Sequence, residues 1–339
     1  MTSELSIAFC LPIQNWTPQF KAVLGSLKAH SARVQIAVMM TKKDQRIQAD
    51  LDESGLSFHY HRIGPDAGQA AAIAEGWANT DSPLLSWLNM DDALTGNGLT
   101  KVIALFEKDP NLDVVYGHST ISDESNTIWG LHPAVQPMGP LLRRTNIVSQ
   151  PSCFYRRRAV DAVGGINASL EYTMDWDLWL RLFENTAKFE YTDHILSNVT
   201  WAQKTKTAVI SKRRLSEFAK VLRRSQSLYK TGIGLSALIQ NNLSIYKSNR
   251  SVEFNCRPLI MSELLTTIPV INMHADFKQR LHIAHDAKPL RIQDLGHPFE
   301  LETQPEKSVL TFQAPIAPGE AVLLRVEGQQ TKLRSFSWR

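Results

Sequence analysis

The stretch Leu84-Leu85-Ser86-Trp87-Leu88-Asn89-Met90-Asp91-Asp92 decides how the chain is read. A short apolar run after Pro83 ends in two adjacent carboxylates, with an amide two positions before the first. An apolar segment of this length, bounded by polar residues, reads as a strand buried on both faces. In an open parallel sheet the carboxyl ends of the strands face the ligand crevice. Carboxylates delivered there suit a hard cation such as Mg²⁺ or Mn²⁺, which prefers oxygen ligands and the phosphates of a bound nucleotide. The same residues also suit a polar turn in which Asp92 caps the next helix.

Working outward, the flanking sequence supports a layered α/β fold. Leu5–Pro12, Val34–Met40, Phe58–Ile63 and Asp113–Gly117 are further short strand candidates. Between them, Thr17–His30 places Phe20, Val23, Leu24 and Leu27 at helical spacing, and Lys43–Ser54 can also be helical. Asp66-Ala67-Gly68-Gln69 opens the alanine-rich segment Ala70–Trp77, and Thr95–Lys108 gives another helix. Strands alternating with helices at this rhythm predict a mainly parallel sheet with helices on both faces. His59 and His61 share a face of the third strand without other ligand types nearby, so no metal site is expected there.

After about Arg144 the rhythm loosens. Phe154–Arg158 reads as a strand, Asp175–Asn185 as a helix and Lys212–Gln240 as helical throughout. Past Arg280, short alternating segments (Leu281–Ala284, Val309–Ala314, Ala321–Glu327) are separated by Pro, Gly and Asp, the pattern of a small antiparallel β module. The expected division is therefore an α/β domain over residues 1–210, a helical extension over 211–275 and a β-rich module over 276–339.

Composition limits the function classes. The 339 residues, 43% hydrophobic and 21% charged, describe a globular chain able to bury a full-sized core. No apolar run approaches membrane-spanning length, and no basic segment precedes the run at Leu5–Ile13, so neither a membrane helix nor a secretory leader is expected. Cys10, Cys153 and Cys256 lack metal-ligand spacing and fit a reducing cytoplasm. The net charge is +4, with basic clusters at Arg143-Arg144, Arg156-Arg157-Arg158, Lys212-Arg213-Arg214 and Arg223-Arg224. These clusters suit solvated helix faces, or attraction to a nucleotide diphosphate, a lipid-linked pyrophosphate or the inner face of a membrane. No nucleic-acid-binding signature accompanies them.

A second segment carries chemistry. In Met174-Asp175-Trp176-Asp177-Leu178-Trp179-Leu180-Arg181-Leu182, Asp175 stands at a helix start, where a carboxylate could take a proton from a hydroxyl in the crevice. Aspartates in a first turn also simply complement the helix dipole.

Taken in order, Gly64-Pro65-Asp66-Ala67-Gly68-Gln69, Trp87-Leu88-Asn89-Met90-Asp91-Asp92, Val115-Tyr116-Gly117, Gln150-Pro151-Ser152-Cys153-Phe154-Tyr155-Arg156-Arg157, Val163-Gly164-Gly165 and the Asp175 segment resemble glycosyltransferase family 2. The likeness is to bacterial members with a W-L-N-x-D-D motif, and it covers roughly the first two-thirds of the chain. The resemblance implies an inverting enzyme of GT-A fold that moves a sugar from a nucleotide-sugar donor to a saccharide or lipid-linked acceptor. It implies that Asn89-Met90-Asp91 occupies the family's DXD position, that Asp91 and Asp92 hold Mg²⁺ or Mn²⁺ and that Asp175 is the catalytic base. It further implies that Asp66, Gln69, Asn89 and Asp91 border the nucleotide, and that Gln150, Arg156 and Asp177 border the substrate. Polysaccharide or glycoconjugate synthesis in the cytoplasm, with room for peripheral membrane contact, follows from the same resemblance.

Three departures bear on that reading. The acidic residue usual after the second strand is missing from Val38-Met39-Met40-Thr41-Lys42-Lys43, which leaves the donor base open. His118 follows Tyr116-Gly117 where the family keeps an aspartate, and a lone histidine there is expected to be a hydrogen-bonded structural group. The stretch Thr200-Trp201-Ala202-Gln203-Lys204-Thr205 lacks the histidine that joins the metal in many relatives. The first and third of these departures motivate a second reading, a non-catalytic relative that binds a sugar or nucleotide or scaffolds other enzymes. A nucleotidyltransferase ranks last, because Leu11-Pro12-Ile13-Gln14-Asn15 is no glycine-rich basic loop.

Overall fold

The computed structural model describes residues 5–122, 124, 128–132, 134, 142–143, 146, 148–200, 211–225, 267–271, 278–285, 291–294, 298–316, 321–327 and 333–338. Its first half winds in the order β1 (Ile7–Ile13), α1 (Phe20–Lys28), β2 (Val34–Met40), α2 (Gln45–Ser54), β3 (Tyr60–Ile63), α3 (Gln69–Ala78) and β4 (Leu84–Trp87). Then follow β5 (Asp92–Leu94), α4 (Gly98–Lys108), β6 (Val114–Ser122), β7 (Ile128–His132), β8 (Cys153–Arg156), α5 (Arg157–Ala162), α6 (Met174–Glu184), β9 (Phe189–Thr200) and α7 (Lys212–Ser225).

All nine strands join one sheet, in the order β3-β2-β1-β4-β8-β6-β9-β5, with β7 paired to β6. Strands β1 to β4 are parallel, with Ile7 level with both Val34 and Leu84. The expected mainly parallel sheet holds for that half only. Beyond β4 the sheet is mixed, because β8 runs antiparallel to both β4 and β6 while β9 lies parallel to β6. The chain winds outward through β2 and β3, then crosses back to lay β4 on the other side of β1. That reversal opens a crevice at the carboxyl ends of β1 and β4, where Asn89–Asp92 emerge.

Strands β1, β2 and β4 are mainly apolar because both of their faces are covered. On β1, Ile7, Phe9, Leu11 and Ile13 join the cluster built by α1, α2 and α4, whereas Ala8 and Cys10 join the one built by α3, α6 and α7. This is the two-residue alternation of a strand, read as two separate cores. Trp87, Trp176 and Trp179 are each within 1% of full burial, as core residues rather than a sugar platform.

Two expectations are corrected. Asp92 does not cap the following helix: it opens the short strand β5, paired at Val199, and α4 starts only at Gly98 after Asn97. The twelve-residue strand β9 had no counterpart in the sequence reading. Residues 226–240 of the expected long helix lie outside the described residues.

The C-terminal strands β10 (Thr267–Ile271), β11 (Lys278–His285), β12 (Arg291–Asp294), β13 (Phe299–Gln304), β14 (Lys307–Ile316), β15 (Ala321–Glu327) and β16 (Leu333–Trp338) are β-rich as expected. They form two antiparallel sheets, β10-β15-β12 and β13-β14-β11-β16. Leu281, Ile283, Leu310 and Phe312 are buried there. Among the described residues no helix is long and apolar enough to cross a membrane.

Close packing of α3 on β1 sets the depth of the crevice. A β-carbon added at Gly76 would stand 2.6 Å from Cys10 Sγ, and Cys10 is fully buried. Gly76→Ala is therefore expected to lower unfolding free energy by about 1–3 kcal/mol through overpacking. The roughly 1 kcal/mol that alanine gains in a helix should not offset that loss. Urea titration checks this, and a stabilised variant would contradict the close approach.

Candidate active site

Strand β4 is buried along its whole length, so it delivers Asn89 and the two aspartates to the crevice at a fixed height. Asn89 is the hub of a chain of amides. Gln69, the first residue of α3, donates from Nε2 to Asn89 Oδ1 at 2.6 Å. Asn89 Nδ2 in turn donates to Asp92 Oδ2 at 2.8 Å and to Gln150 Oε1 at 3.5 Å. Gln150 closes the chain by donating to the carbonyl of Trp87 at 2.8 Å. Residues far apart in sequence are thus tied to one strand end.

Asp92 is 4% exposed, and Asp91 beside it is half-buried. Burial holds both carboxyls above the usual carboxylate range, and the neighbouring Asp91 pushes Asp92 further. Among the described residues no Lys or Arg is ion-paired to either of them. An uncompensated acidic pair in a low-dielectric setting favours a cation, and its oxygen donors suit Mg²⁺ or Mn²⁺. No group of three or more His, Cys, Asp or Glu converges among the described residues. A cation such as Mg²⁺ commonly takes one or two carboxylates and completes its shell from phosphates and water.

Asp175 lies in the first turn of α6. Its Oδ1 accepts from the Trp176 backbone N–H at 2.7 Å and its Oδ2 from Asn146 Nδ2 at 3.5 Å. Burial raises its carboxyl to about 6, against the lowering effect of those hydrogen bonds. A carboxylate that titrates near the working pH can take up a proton and release it again. Asn146 also accepts from the Val148 N–H at 3.3 Å, just before Gln150. The hydrogen bonds of Asn146 and the short segment to Gln150 therefore connect Asp175 to the Asn89 hub. Asn146 escaped the sequence reading, since a single Asn in Thr145-Asn146-Ile147 carries no pattern.

Beneath Gln150, the hydroxyls of Ser119, Ser149, Ser152 and Ser197 form a buried knot with contacts of 2.6–2.8 Å. Ser152 also donates to the carbonyl of His118 at 2.7 Å. The tight turn Gln150–Ser152 is fixed to β6 and β9 by these bonds, and Gln150 with it. Scattered serines gave no sign of this in the sequence.

The structure does not bring every expected residue to the crevice. Arg156 lies level with Leu84, at the opposite end of β4 from Asp91. Its guanidinium donates to the carbonyls of Leu112 and Phe106 and stacks over the Phe106 ring, so it closes the far edge of the sheet. Asp177 is 3% exposed and bound at 2.7 Å by both Arg181 and Arg224, which makes it an internal brace with no oxygen left for a substrate. Asp66, at the entry to α3, accepts from the Gly68 N–H at 2.9 Å and pairs with Arg62 at 3.4 Å. It shapes the loop in front of Gln69, with Gly68 at φ +115°. Asp44 caps α2 by accepting from the Arg46 and Ile47 N–H groups, so it does not replace the missing acid after β2.

His118 is fully buried, as a hydrogen-bonded structural group. Its Nδ1 accepts from the Ala134 N–H at 2.8 Å, which leaves Nε2–H to donate to the Tyr191 hydroxyl at 2.9 Å. Burial lowers its pKa to about 4.

An open sheet with this winding and a carboxylate pair at its switch point define a GT-A-type fold. The model of Glycosyl transferase family 2 matches residues 41–164 of the chain. An uncharacterized glycosyltransferase of Rickettsia conorii is 22% identical over 205 residues, 56% of this chain and 33% of the relative. A PGL/p-HBAD biosynthesis glycosyltransferase of Mycobacterium bovis is 30% identical over 132 residues, 39% of this chain and 50% of the relative. The chain thus spans a third to a half of the length of these two relatives. Among solved structures, the mannosyltransferase from Pyrobaculum calidifontis in complex with GDP-Man and Mn²⁺ superposes with a TM-score of 0.50 at 12% identity, covering 74% of this chain and 77% of that one.

The neutral His118 gives a pH prediction. Its folded-state pKa lies below the unfolded value near 6.5, so the unfolded chain binds the extra proton between the two. Stability from this residue is therefore complete above about pH 6.5 and lost as pH falls towards about 4. Compared with His118→Gln, which can keep both hydrogen bonds, wild-type stability should fall by about 2–3 kcal/mol across that window. Denaturant titrations at pH 7.5 and 4.5 measure the difference; parallel losses in both proteins would show that His118 is charged when folded.

Proposed function

We propose that the chain is an inverting, metal-dependent glycosyltransferase that moves a sugar from a nucleotide-sugar donor to an acceptor hydroxyl. One observation carries this reading: Asp175 and Asp92, the neighbour of Asp91, are linked through Asn146, the Val148–Gln150 segment and Asn89. The match to the family model over residues 41–164 and the GT-A-type fold support it.

In this reading Asp91 and Asp92 hold Mg²⁺ or Mn²⁺, which when bound neutralises charge on the departing diphosphate. Gln69 and Asn89 border the nucleotide, with Asp66 shaping the loop beside them, and Gln150 borders the acceptor. Asp175 takes the proton of the acceptor hydroxyl as its oxygen attacks the anomeric carbon. The nucleoside diphosphate leaves from the opposite face, so the configuration at that carbon inverts. An oxocarbenium-like transition state gains from a nearby carboxylate, as in glycosidases. A raised pKa suits Asp175 to the step, because a base near 6 is ionised at neutral pH yet still basic enough to accept a proton.

Saccharide or lipid-linked acceptors, polysaccharide or glycoconjugate synthesis, a cytoplasmic setting with peripheral membrane contact and the three-part division at residues 211 and 276 belong to the same proposal. The mannosyltransferase solved with GDP-Man and Mn²⁺ makes guanosine donors part of any test.

Calorimetry with UDP- and GDP-sugars, first with Mn²⁺ and then with a chelator, should give metal-dependent binding of one donor. That binding should weaken strongly in Asp91→Ala. Asp175→Asn should bind the donor as wild type does, while turnover falls about 10²–10⁴-fold. The wild-type rate should rise with pH through about 6, as Asp175 loses its proton. Silence of the folded protein across the panel would favour the non-catalytic binding or scaffold reading. Joint loss of binding and turnover in Asp175→Asn would remove Asp175 as the base.

A further inference from the structure

Helix α7 lies outside the family match and contributes no residue to the site described above. Its apolar face, with Phe218, Val221 and Leu222, is buried in the same core as α6. Glu217 on that face is only 4% exposed. A carboxylate so buried needs partners to offset its desolvation. It finds them in the backbone: the Glu171 N–H lies 3.0 and 3.1 Å from its two oxygens, and the Tyr172 N–H donates to Oε2 at 2.8 Å. Arg213, one turn earlier on α7, adds an ion pair at 3.2 Å. Successive N–H groups turned to one side form an anion-binding concavity, and here the chain fills it with its own carboxylate.

The location of these bonds gives them a consequence for Asp175. Glu217 fixes Glu171 and Tyr172, the last residues but one before α6. Phe218, next to it, packs its ring 4.7 Å from Trp176, the residue after Asp175. Arg224, two turns along, binds Asp177 at 2.7 Å and Glu184 at 3.0 Å. Helix α7 therefore grips the chain on both sides of Asp175 without touching Asp175 itself. Thr173 at the N-cap of α6 makes no capping bond with its hydroxyl, and the side chain that accepts a first-turn N–H, from Trp176, is that of Asp175 itself. The approach to the helix is set from α7.

We propose that Glu217 is a positioning residue for the reaction, holding the Glu171–Tyr172 backbone so that the Asp175 carboxylate meets the attacking hydroxyl. The inference rests on the reading of Asp175 as base. A displacement of about 1 Å at a reacting group can lower turnover about 10²-fold, so loosening this approach should be felt in the rate before it is felt in binding.

The test is a double-mutant cycle on nucleoside diphosphate release from UDP-glucose, UDP-GlcNAc or GDP-mannose, with water as acceptor. Water replaces the acceptor hydroxyl: its oxygen bonds to the anomeric carbon, its proton goes to Asp175 and the diphosphate carries away the bonding pair. E217Q is expected to lower kcat about 10–100-fold with the donor KM changed less than about threefold. In a D175N background the same change should alter kcat less than about twofold, because two residues acting through one group are not additive. Wild-type kcat in E217Q beside an inactive D175N overturns the positioning role alone. An active D175N overturns the base assignment beneath it. Equal fractional losses in both backgrounds show that Glu217 serves stability only. If E217Q fails to fold, E217D, which keeps the charge but withdraws it by one methylene, should give the same kcat-specific loss. If none of the three donors turns over, ¹³C-carboxyl titration of Asp175 replaces the rate: a midpoint moved by E217Q or E217D supports the proposal, and an unmoved one overturns it.

Discussion

Two aspartates leave a buried strand side by side, and their mutual repulsion is the constraint around which the crevice is organised. Each is raised by burial, and Asp92 is raised further by its neighbour. A pair like this would relax by turning one carboxylate away unless something held it. Asn89 does so, donating to Asp92 while accepting from Gln69 and reaching Gln150. An aspartate at position 89 would bring a third negative charge and lose the donor. The asparagine therefore has a physical role where the family pattern commonly shows an acid: it orients the pair without adding to the repulsion.

The amides in turn depend on rigid mounts. Gln69 is held at the start of α3, whose close approach to β1 leaves no space for a β-carbon at Gly76. Gln150 is held by a turn anchored through four serine hydroxyls to β6 and β9. A buried hydroxyl network of this kind is stabilising only when each member is satisfied, and then it fixes one arrangement. Asp175 is mounted differently, on a helix start whose N-cap residue, Thr173, makes no side-chain capping bond. The Asn89 side of the crevice is thus built into the sheet, whereas the Asp175 side depends on helices packed against it.

That difference explains how much the sequence could reveal. The first half of the sheet is written in local patterns: the apolar runs of β1 and β2, an alanine-rich helix and a strand that ends in carboxylates. Strand β2 could be placed to the residue from its apolar run. The brief strand β5 was hidden because Asp92 at its start looks like a helix cap, and β9 because Glu190, Thr192, Asp193, His194, Ser197 and Asn198 break its apolar texture. Arg156 and Asp177 were expected at the substrate because motif order places them in the same motifs as Gln150 and Asp175. Along β8, however, side chains move away from the crevice with each residue, and Arg156 ends at the far edge of the sheet. Asp177, one turn before Arg181, faces the core side of α6, where two arginines claim it.

Long-range charge pairing of this kind leaves no local trace. Glu217 and Tyr172 are 45 positions apart, Arg224 and Asp177 are 47, and each lies in a stretch that reads as an ordinary charged helix or loop. In composition α7 looks like a basic surface helix, with six Lys or Arg and one acid. Yet that one acid is buried against a backbone loop and two of the arginines are spent on pairing, so the charge excess overstates what is free for an external anion. The reading of α7 as a membrane- or phosphate-seeking face therefore weakens as its pairs are assigned, and its role as a mount for α6 strengthens. The family model matches residues 41–164, which include Gln69, Asn89, the aspartate pair and Gln150. Beyond it, the fold needs only some element that can brace the helix carrying Asp175, and many sequences could do this. Weak likeness there is compatible with an intact site, because what must be kept is the position of one carboxylate rather than the identity of the residues that hold it.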